Sequence, residues 1–251
     1  AALSFHVNLL EARRGYLPGS WDILWSLSVE ETFYLAFPCM CRLFGRGRML
    51  IALLIAFVLL GPFGRSVLAH GNPVWREYSY LGGTDAIAMG CLTAIALRGR
   101  TPSRALPRWM AITGGALLVF CLGCSRIAEP LLRSGLYMSV IGAGACLLIA
   151  ASAETGWRSP RALTPLLRMG RRSYEIYLTH MFVVIVFAQA FVASGKAMLG
   201  VPLFFGGVLV ISTLLGELVA RFYSEPMNRG LRARWHDGAR RMGSVIEEAV
   251  S

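Results

Sequence analysis

Seven stretches of this chain are candidate membrane-crossing helices, the first of them too polar to stand out on hydropathy alone. They fall at about 22–43, 49–69, 79–97, 107–124, 133–152, 173–193 and 199–222, the first being the most polar. About 20 apolar residues at ~1.5 Å rise cover ~30 Å of hydrocarbon. In lipid each backbone N–H and C=O must be satisfied within the segment, which makes runs of this length helical. The predicted fold is an all-α membrane protein, a polytopic bundle of about seven transmembrane helices. Of the 251 residues only 16% are charged, against about 25% in soluble domains. The helices use up the length, so 1–232 reads as one membrane domain and 233–251 as a cytoplasmic tail.

The net charge of +11 raises nucleic acid as a partner, but its distribution points to topology instead. The basic residues are 24 Arg and one Lys, Lys196, gathered in short segments between apolar runs. Assigned alternately to two sides, the segments give 18 basic residues on the side that follows the first span and 7 on the other. The positive-inside rule makes the richer side cytoplasmic. The C-terminus is then cytoplasmic and the N-terminus outside. Residues 1–20 do not read as a signal peptide, so an outside N-terminus calls for an odd number of helices before residue 1. The six cysteines lie in or beside apolar runs. Cys121 and Cys124 form a CxxC with no matching pair elsewhere, so they read as core residues and no metal or bound cofactor is expected.

Chemistry concentrates in Trp21–Pro38, WDILWSLSVEETFYLAFP. Ser26, Glu30 and Tyr34 stand four residues apart and share one helical stripe. An ionised acid near the middle of a span costs roughly 2.5–3.5 kcal/mol, so such residues face a bundle interior, where they pair or work. The competing reading is a helix end with wet carboxylates. Further polar groups interrupt later spans: Asp85 in YLGGTDAIAMG, Tyr174, Glu175, Tyr177 and His180 in RRSYEIYLTH, and Glu217 and Glu225 near the end of the last. Tyr177 lies three residues from both Tyr174 and His180, so the three share a broad face. Together these groups suggest a polar cavity for chemistry or transport.

Four segments resemble acyltransferase family 3, the integral-membrane sugar O-acyltransferases. LWSLSVEETFYLAFP is similar to the family's Ser-x-x-x-Glu-x-x-x-Tyr signature, on Ser26, Glu30 and Tyr34. RRSYEIYLTHMFVV resembles its Gly-x-x-Ser-Tyr-x-x-Tyr-Leu-x-His segment, with Gly170, Ser173, Tyr174, Tyr177 and His180 in place. TDAIAMGCLTA matches the Asp-to-Gly segment at Asp85 and Gly90, and RFYSEPMNRGLR the closing Glu225-Pro226 element. Two departures stand beside these matches. The family usually begins with about three more helices, the first carrying an Arg and a His taken as catalytic, and nothing here matches them; His6 does not lie in such a helix. Gly83 stands where the family often has an Arg, two residues before the Asp.

The resemblance implies transfer of an acyl group, usually acetyl, from acetyl-CoA to a carbohydrate hydroxyl of a surface polysaccharide or glycolipid. It also implies a multi-pass protein of the cell membrane, here a bacterial inner membrane. The expected catalytic residues are Glu30, Ser26, Tyr34 and His180. Glu30 orients and stabilises a histidine base, Ser26 and Tyr34 support Glu30, and His180 substitutes for the missing base. Asp85, Tyr174, Tyr177, Arg171 and Arg172 are the expected substrate-binding residues, the two arginines for CoA phosphates. The expected partners are the lipid bilayer, an acyl-CoA and a carbohydrate acceptor, with no nucleic acid. With the first helices absent, the 251-residue chain alone is expected to show little or no transfer. Two alternatives remain: an exporter or ion-coupled carrier using Glu30, Asp85 and Glu217, and an inactive remnant of the enzyme family.

Overall fold

The computed structural model describes residues 6–45, 47–69, 71–98, 106–155, 160–195 and 200–235. Every regular element among them is helical. The tail lies outside the described residues from 236 onward, as does Lys196. Helices stand at each of the seven expected positions. Five of them are long and apolar enough to cross a membrane, and this is a multi-pass membrane protein. The other two are Leu24–Phe44, which carries Glu30 and Glu31, and Leu106–Gly123.

The chain divides into two compact units, Ala1–Arg158 and Ser159–Ser251. The first opens with α1 (Val7–Arg14) and a single turn, α2 (Gly19–Asp22). The helices α3 (Leu24–Phe44), α4 (Arg48–Ser66), α5 (Pro73–Tyr78) and α6 (Tyr80–Leu97) follow, then α7 (Leu106–Gly123), α8 (Ser125–Arg133) and α9 (Tyr137–Thr155). Local chemistry sets several boundaries. Gly45, at φ +65°, ends α3 in a conformation that costs glycine nothing. Asn72 accepts from Trp75 N at 3.0 Å ahead of Pro73 and starts α5. Ser79 accepts from Gly82 N at 3.0 Å and starts α6. Both are the side-chain caps that orphan N–H groups at a helix start require.

In this unit α4 packs on α6, α7 on α9, and α6 on both α9 and α3. Its core joins Phe33 of α3 to Leu50 and Leu54 of α4 and Ala88 of α6. Helices in lipid gain little from burying apolar surface, so close backbone approach at small residues must hold them together. That is what α7 and α9 do. A Cβ at Gly114 would lie 2.7 Å from the carbonyl oxygen of Gly144. Large apolar side chains such as Leu35, Leu43 and Leu122 point outward, as a lipid-facing surface requires.

The second unit holds a short 3-10 turn, Arg161–Leu163, followed by α10 (Thr164–Arg171), α11 (Ser173–Ala193) and α12 (Val201–Val219). A π-helical turn, Ala220–Ser224, extends α12, and helix resumes to residue 235. α11 lies along α12, with Gly207 against the Phe187 ring and Gly216 against Ile176, where a Cβ would come within 2.5 Å of each side chain.

Candidate functional site

On α3 the packed face and the polar stripe separate cleanly. Ser28, Val29 and Phe33 are buried. Ser28 Oγ donates to Leu24 O at 2.9 Å and Thr32 Oγ1 to Ser28 O at 2.6 Å, so hydroxyls beside that face are satisfied by the helix itself. The Ser26–Glu30–Tyr34 stripe lies to one side. Ser26 and Glu30 are half-buried and the Tyr34 ring is 57% exposed. Ser26 Oγ donates to Ile23 O at 3.2 Å. Among the described residues no donor reaches the Glu30 carboxylate, so neither Ser26 nor Tyr34 is hydrogen-bonded to it. Glu30 is a half-desolvated acid on an apolar helix with its acceptor capacity open.

Asp85 has a different surrounding. It is fully buried against Arg65 of α4, whose Nη2 lies 2.6 Å from Asp85 Oδ2 and Nη1 3.1 Å from Oδ1. Ser139 of α9 accepts from Arg65 Nη2 at 2.6 Å and donates to Asp85 Oδ2. Arg65 Nε donates to Gly135 O at 2.8 Å, and Nη1 also to Gly82 O. Every oxygen and nitrogen of the pair thus has a partner, the condition under which a buried ion pair is tolerated. Glycines make the room. A Cβ at Gly61 would lie 2.5 Å from Asp85 Cβ, one at Gly82 2.9 Å from Arg65 Cγ, and one at Gly135 3.1 Å from Arg65 Cβ.

Arg65 was missed as a site residue because it was counted as a charge outside the spans. It sits inside α4, within a stretch already identified as apolar. A lone arginine inside such a run, paired with a lone aspartate in the next, is the signal that could have found it.

In the second unit a cleft of about 1050 Å³ opens between α10 and α12. Arg161, Arg168, Arg171 and Arg172 line one side, and Leu209, Val210 and Leu214 the other. Arg172, at the start of α11, is held by two acids: Nε lies 3.3 Å from Glu217 Oε2, and Nη2 is paired with Glu225 Oε1. Arg229 closes the set, 3.1 Å from Glu225 Oε2. The Glu225 hydrogen bond is the main cause raising the Arg172 pKa further, so this guanidinium is a fixed charge. Arg161, Arg168 and Arg171 form no ion pair among the described residues.

His180 is half-buried one turn along from Tyr177. Its Nδ1 lies 2.7 Å from Tyr177 O, and the two rings are 5.6 Å apart. A carbonyl only accepts, so in the neutral ring the proton sits on Nδ1 and the lone pair on Nε2. Tyr174 and Tyr177 are 54% and 37% exposed. The structure therefore groups Arg171, Arg172, Tyr174, Tyr177 and His180 in one unit, while Ser26, Glu30, Tyr34 and Asp85 belong to the other.

Comparison with known proteins gives these groups a context. YrhL of Bacillus subtilis, provisionally named a peptidoglycan O-acetyltransferase, is 30% identical over 240 residues, covering 86% of this chain and 36% of its own length. The O-acetyltransferase OatA of Staphylococcus aureus is 25% identical over 224 residues, 82% of this chain and 36% of that protein. The peptidoglycan O-acetyltransferase OatA of Listeria monocytogenes is 30% identical over 181 residues, 65% and 29% of the two lengths. The chain thus spans about a third of the length of these relatives. No solved structure matches it. The family model for an acyltransferase domain, family 3, matches residues 7–217, a stretch that includes the Glu30 stripe, Asp85 and His180. The chain belongs to acyltransferase family 3.

Proposed function

We propose that this chain is the membrane part of an O-acyltransferase that moves acetyl from acetyl-CoA to a carbohydrate hydroxyl. The observation that carries the donor side is the arginine-lined cleft. Arg172, fixed between Glu217 and Glu225, stands beside Arg161, Arg168 and Arg171, whose forked donors suit phosphate oxygens. The apolar wall opposite suits the pantetheine arm. These arginines belong to the basic-rich side, so the cleft opens to the cytosol, where acetyl-CoA is made. In the same topology the N-terminus faces outside and the C-terminus the cytoplasm, across a bacterial inner membrane.

The acceptor reading draws on two of the relatives, YrhL and the Listeria OatA, which are named for peptidoglycan: a cell-envelope glycan hydroxyl is the proposed nucleophile. His180 Nε2 takes the proton from that hydroxyl as its oxygen bonds to the thioester carbonyl carbon. The C–S bond then breaks, and the CoA sulfur leaves as thiolate and collects the proton from the imidazolium. Glu30, with its acceptor capacity open, is the acid of the first unit suited to supporting a protonated histidine base. Ser26 and Tyr34 line the same stripe and shape its polar surface, and Tyr174 and Tyr177 offer sugar-facing rings and hydroxyls. Asp85, its oxygens committed to Arg65 and Ser139, serves substrate binding by holding α6 in place rather than by touching the sugar.

The test uses acetyl-CoA labelled in the acetyl group and the protein in membranes. An enzyme carries the label to carbohydrate, whereas a transporter leaves it on CoA. Where the parent protein does transfer label, His180→Ala is expected to reduce that transfer by about 10²–10⁴-fold, the usual share of a general base. Transfer undiminished in His180→Ala would remove His180 from the mechanism, and label found only on CoA would remove the enzyme reading.

A further inference from the structure

Packed under the start of α3 is a cluster that plays no part in the proposed transfer. Asn8 and Glu11 lie one turn apart on α1 and are both completely buried. Residues three apart share a helix face, so both side chains enter the same interface. Asp22 joins them, close enough to hydrogen-bond Glu11. Tyr78, at the end of α5, ties the group together. Its carbonyl accepts from Asn8 Nδ2, and its hydroxyl donates to Asp22 Oδ2 at 2.9 Å. α1 does pack on both α5 and α3.

Three oxygens in this cluster are buried without a hydrogen-bond partner: Asn8 Oδ1, Glu11 Oε2 and Asp22 Oδ1. Only a long contact from Leu17 N, at 3.5 Å, reaches the other oxygen of Glu11. Among the described residues no arginine pairs with Glu11 or Asp22. Two neighbouring carboxylates, and an amide oxygen one helical turn from Glu11 on the same face, are therefore buried with no cationic side chain paired to them among the described residues. An unpaired buried acceptor costs about 1–3 kcal/mol, and an unpaired charge more. A single shared proton would satisfy the two carboxylates and leave the amide oxygen of Asn8 orphaned. A cation satisfies all three.

We infer that Asn8, Glu11 and Asp22 form a binding site for a hard divalent cation of the calcium type. The donors are all oxygen, which suits calcium or magnesium and disfavours soft metals. Two carboxylates match a 2+ charge, and calcium tolerates the irregular geometry that a helix and a single turn present. Among the described residues no three His, Cys, Asp or Glu side chains are grouped to hold a metal ion; here the third ligand is an amide. The site departs from the expectation of no metal. The ion would pin α1 to the first turn of α3, beside the stripe bearing Ser26 and Glu30. On the proposed topology this corner is extracytoplasmic, where calcium sites of 10⁻⁴–10⁻³ M affinity are common.

The site carries its own antenna, because Trp25 stacks on Tyr78 at 4.5 Å between centroids. Terbium added to the intact chain in nanodiscs is expected to give saturable sensitised emission on excitation of these rings, displaced by millimolar calcium. Glu11→Gln is expected to weaken terbium binding at least tenfold. That variant deletes a buried charge without changing shape, so it retains the fold. Calcium is further expected to raise the melting temperature of the parent chain but not of Glu11→Gln. Emission equal in the parent and Glu11→Gln would overturn the site. So would a melting temperature that ignores calcium and chelator alike and answers only to pH. The direction of that second outcome is fixed. Burial, with the Asp22 charge as second cause, pushes Glu11 up to about 7. Stability drawn from a shared proton is then full below the ordinary carboxyl value and is lost as pH rises to about 7.

Discussion

Asp85→Ala is expected to destabilise the first unit by about 3–5 kcal/mol, the range for breaking a buried ion pair from one side. The reason is the guanidinium left behind. Arg65 is 5% exposed and held among α4, α6 and α9, with no route to water that does not open the packing. Arg65→Ala is expected to be as damaging, since it strands the aspartate. Replacing both by apolar residues of similar volume, Arg65→Met with Asp85→Leu, is expected to recover most of the loss, because no buried charge remains unpaired. Thermal unfolding in detergent of the two single variants and the double variant measures this directly. A double variant as unstable as either single one would show that the pair does more than neutralise itself.

Glu30→Gln is expected to lower acetyl transfer by about 10²–10⁴-fold while leaving the helical fold intact. The side chains are nearly the same size, and no hydrogen bond to the Glu30 carboxylate is lost, since no donor among the described residues reaches it. What disappears is the negative charge of the polar stripe. Glu31→Gln is the matched control. It removes the adjacent carboxylate about 100° around the helix and is expected to change transfer by less than severalfold. Labelled acetyl transfer in membranes compares the two. Equal losses in both variants would mean that the acidic patch matters only as bulk charge.

Much of the fold was legible because lipid permits so few solutions. The stretches expected at 49–69, 107–124 and 173–193 became Arg48–Ser66, Leu106–Gly123 and Ser173–Ala193, since a run of apolar residues of that length has no other way to satisfy its backbone. Close approach between helices occurs at Gly144 and Gly207. Gly206, next to the latter, faces open space, a difference of 100° that composition does not carry. The short helices α1, α8 and α10 were not foreseen. α1 lies ahead of the first apolar run and α8 and α10 between later ones, where topology charge and amphipathic patterning look alike.

The site was legible as a set of residue types and not as a set of partners. Glu30, Asp85 and His180 all stood out as polar groups in apolar surroundings. Which of them is sealed by a neighbour depends on which helices touch. Asp85 and Arg65 are 20 residues apart and meet only because α4 lies on α6. The Nδ1 contact of His180 is local and belongs to the helix, yet it requires a rotamer that spacing alone leaves open.

The π-helical turn at Ala220–Ser224 has a consequence for register. Glu217 and Glu225 are eight residues apart, which in an uninterrupted α-helix would swing the second about 80° away from the first. The wider turn absorbs one residue, so the interval behaves like seven and the two acids come to within about 20° of a common line. Both can then grip Arg172. The segment thus tolerates loss of one residue better than gain of one, because a shortened chain would straighten into ordinary helix with both acids still aligned, whereas a lengthened one would turn Glu225 off its arginine.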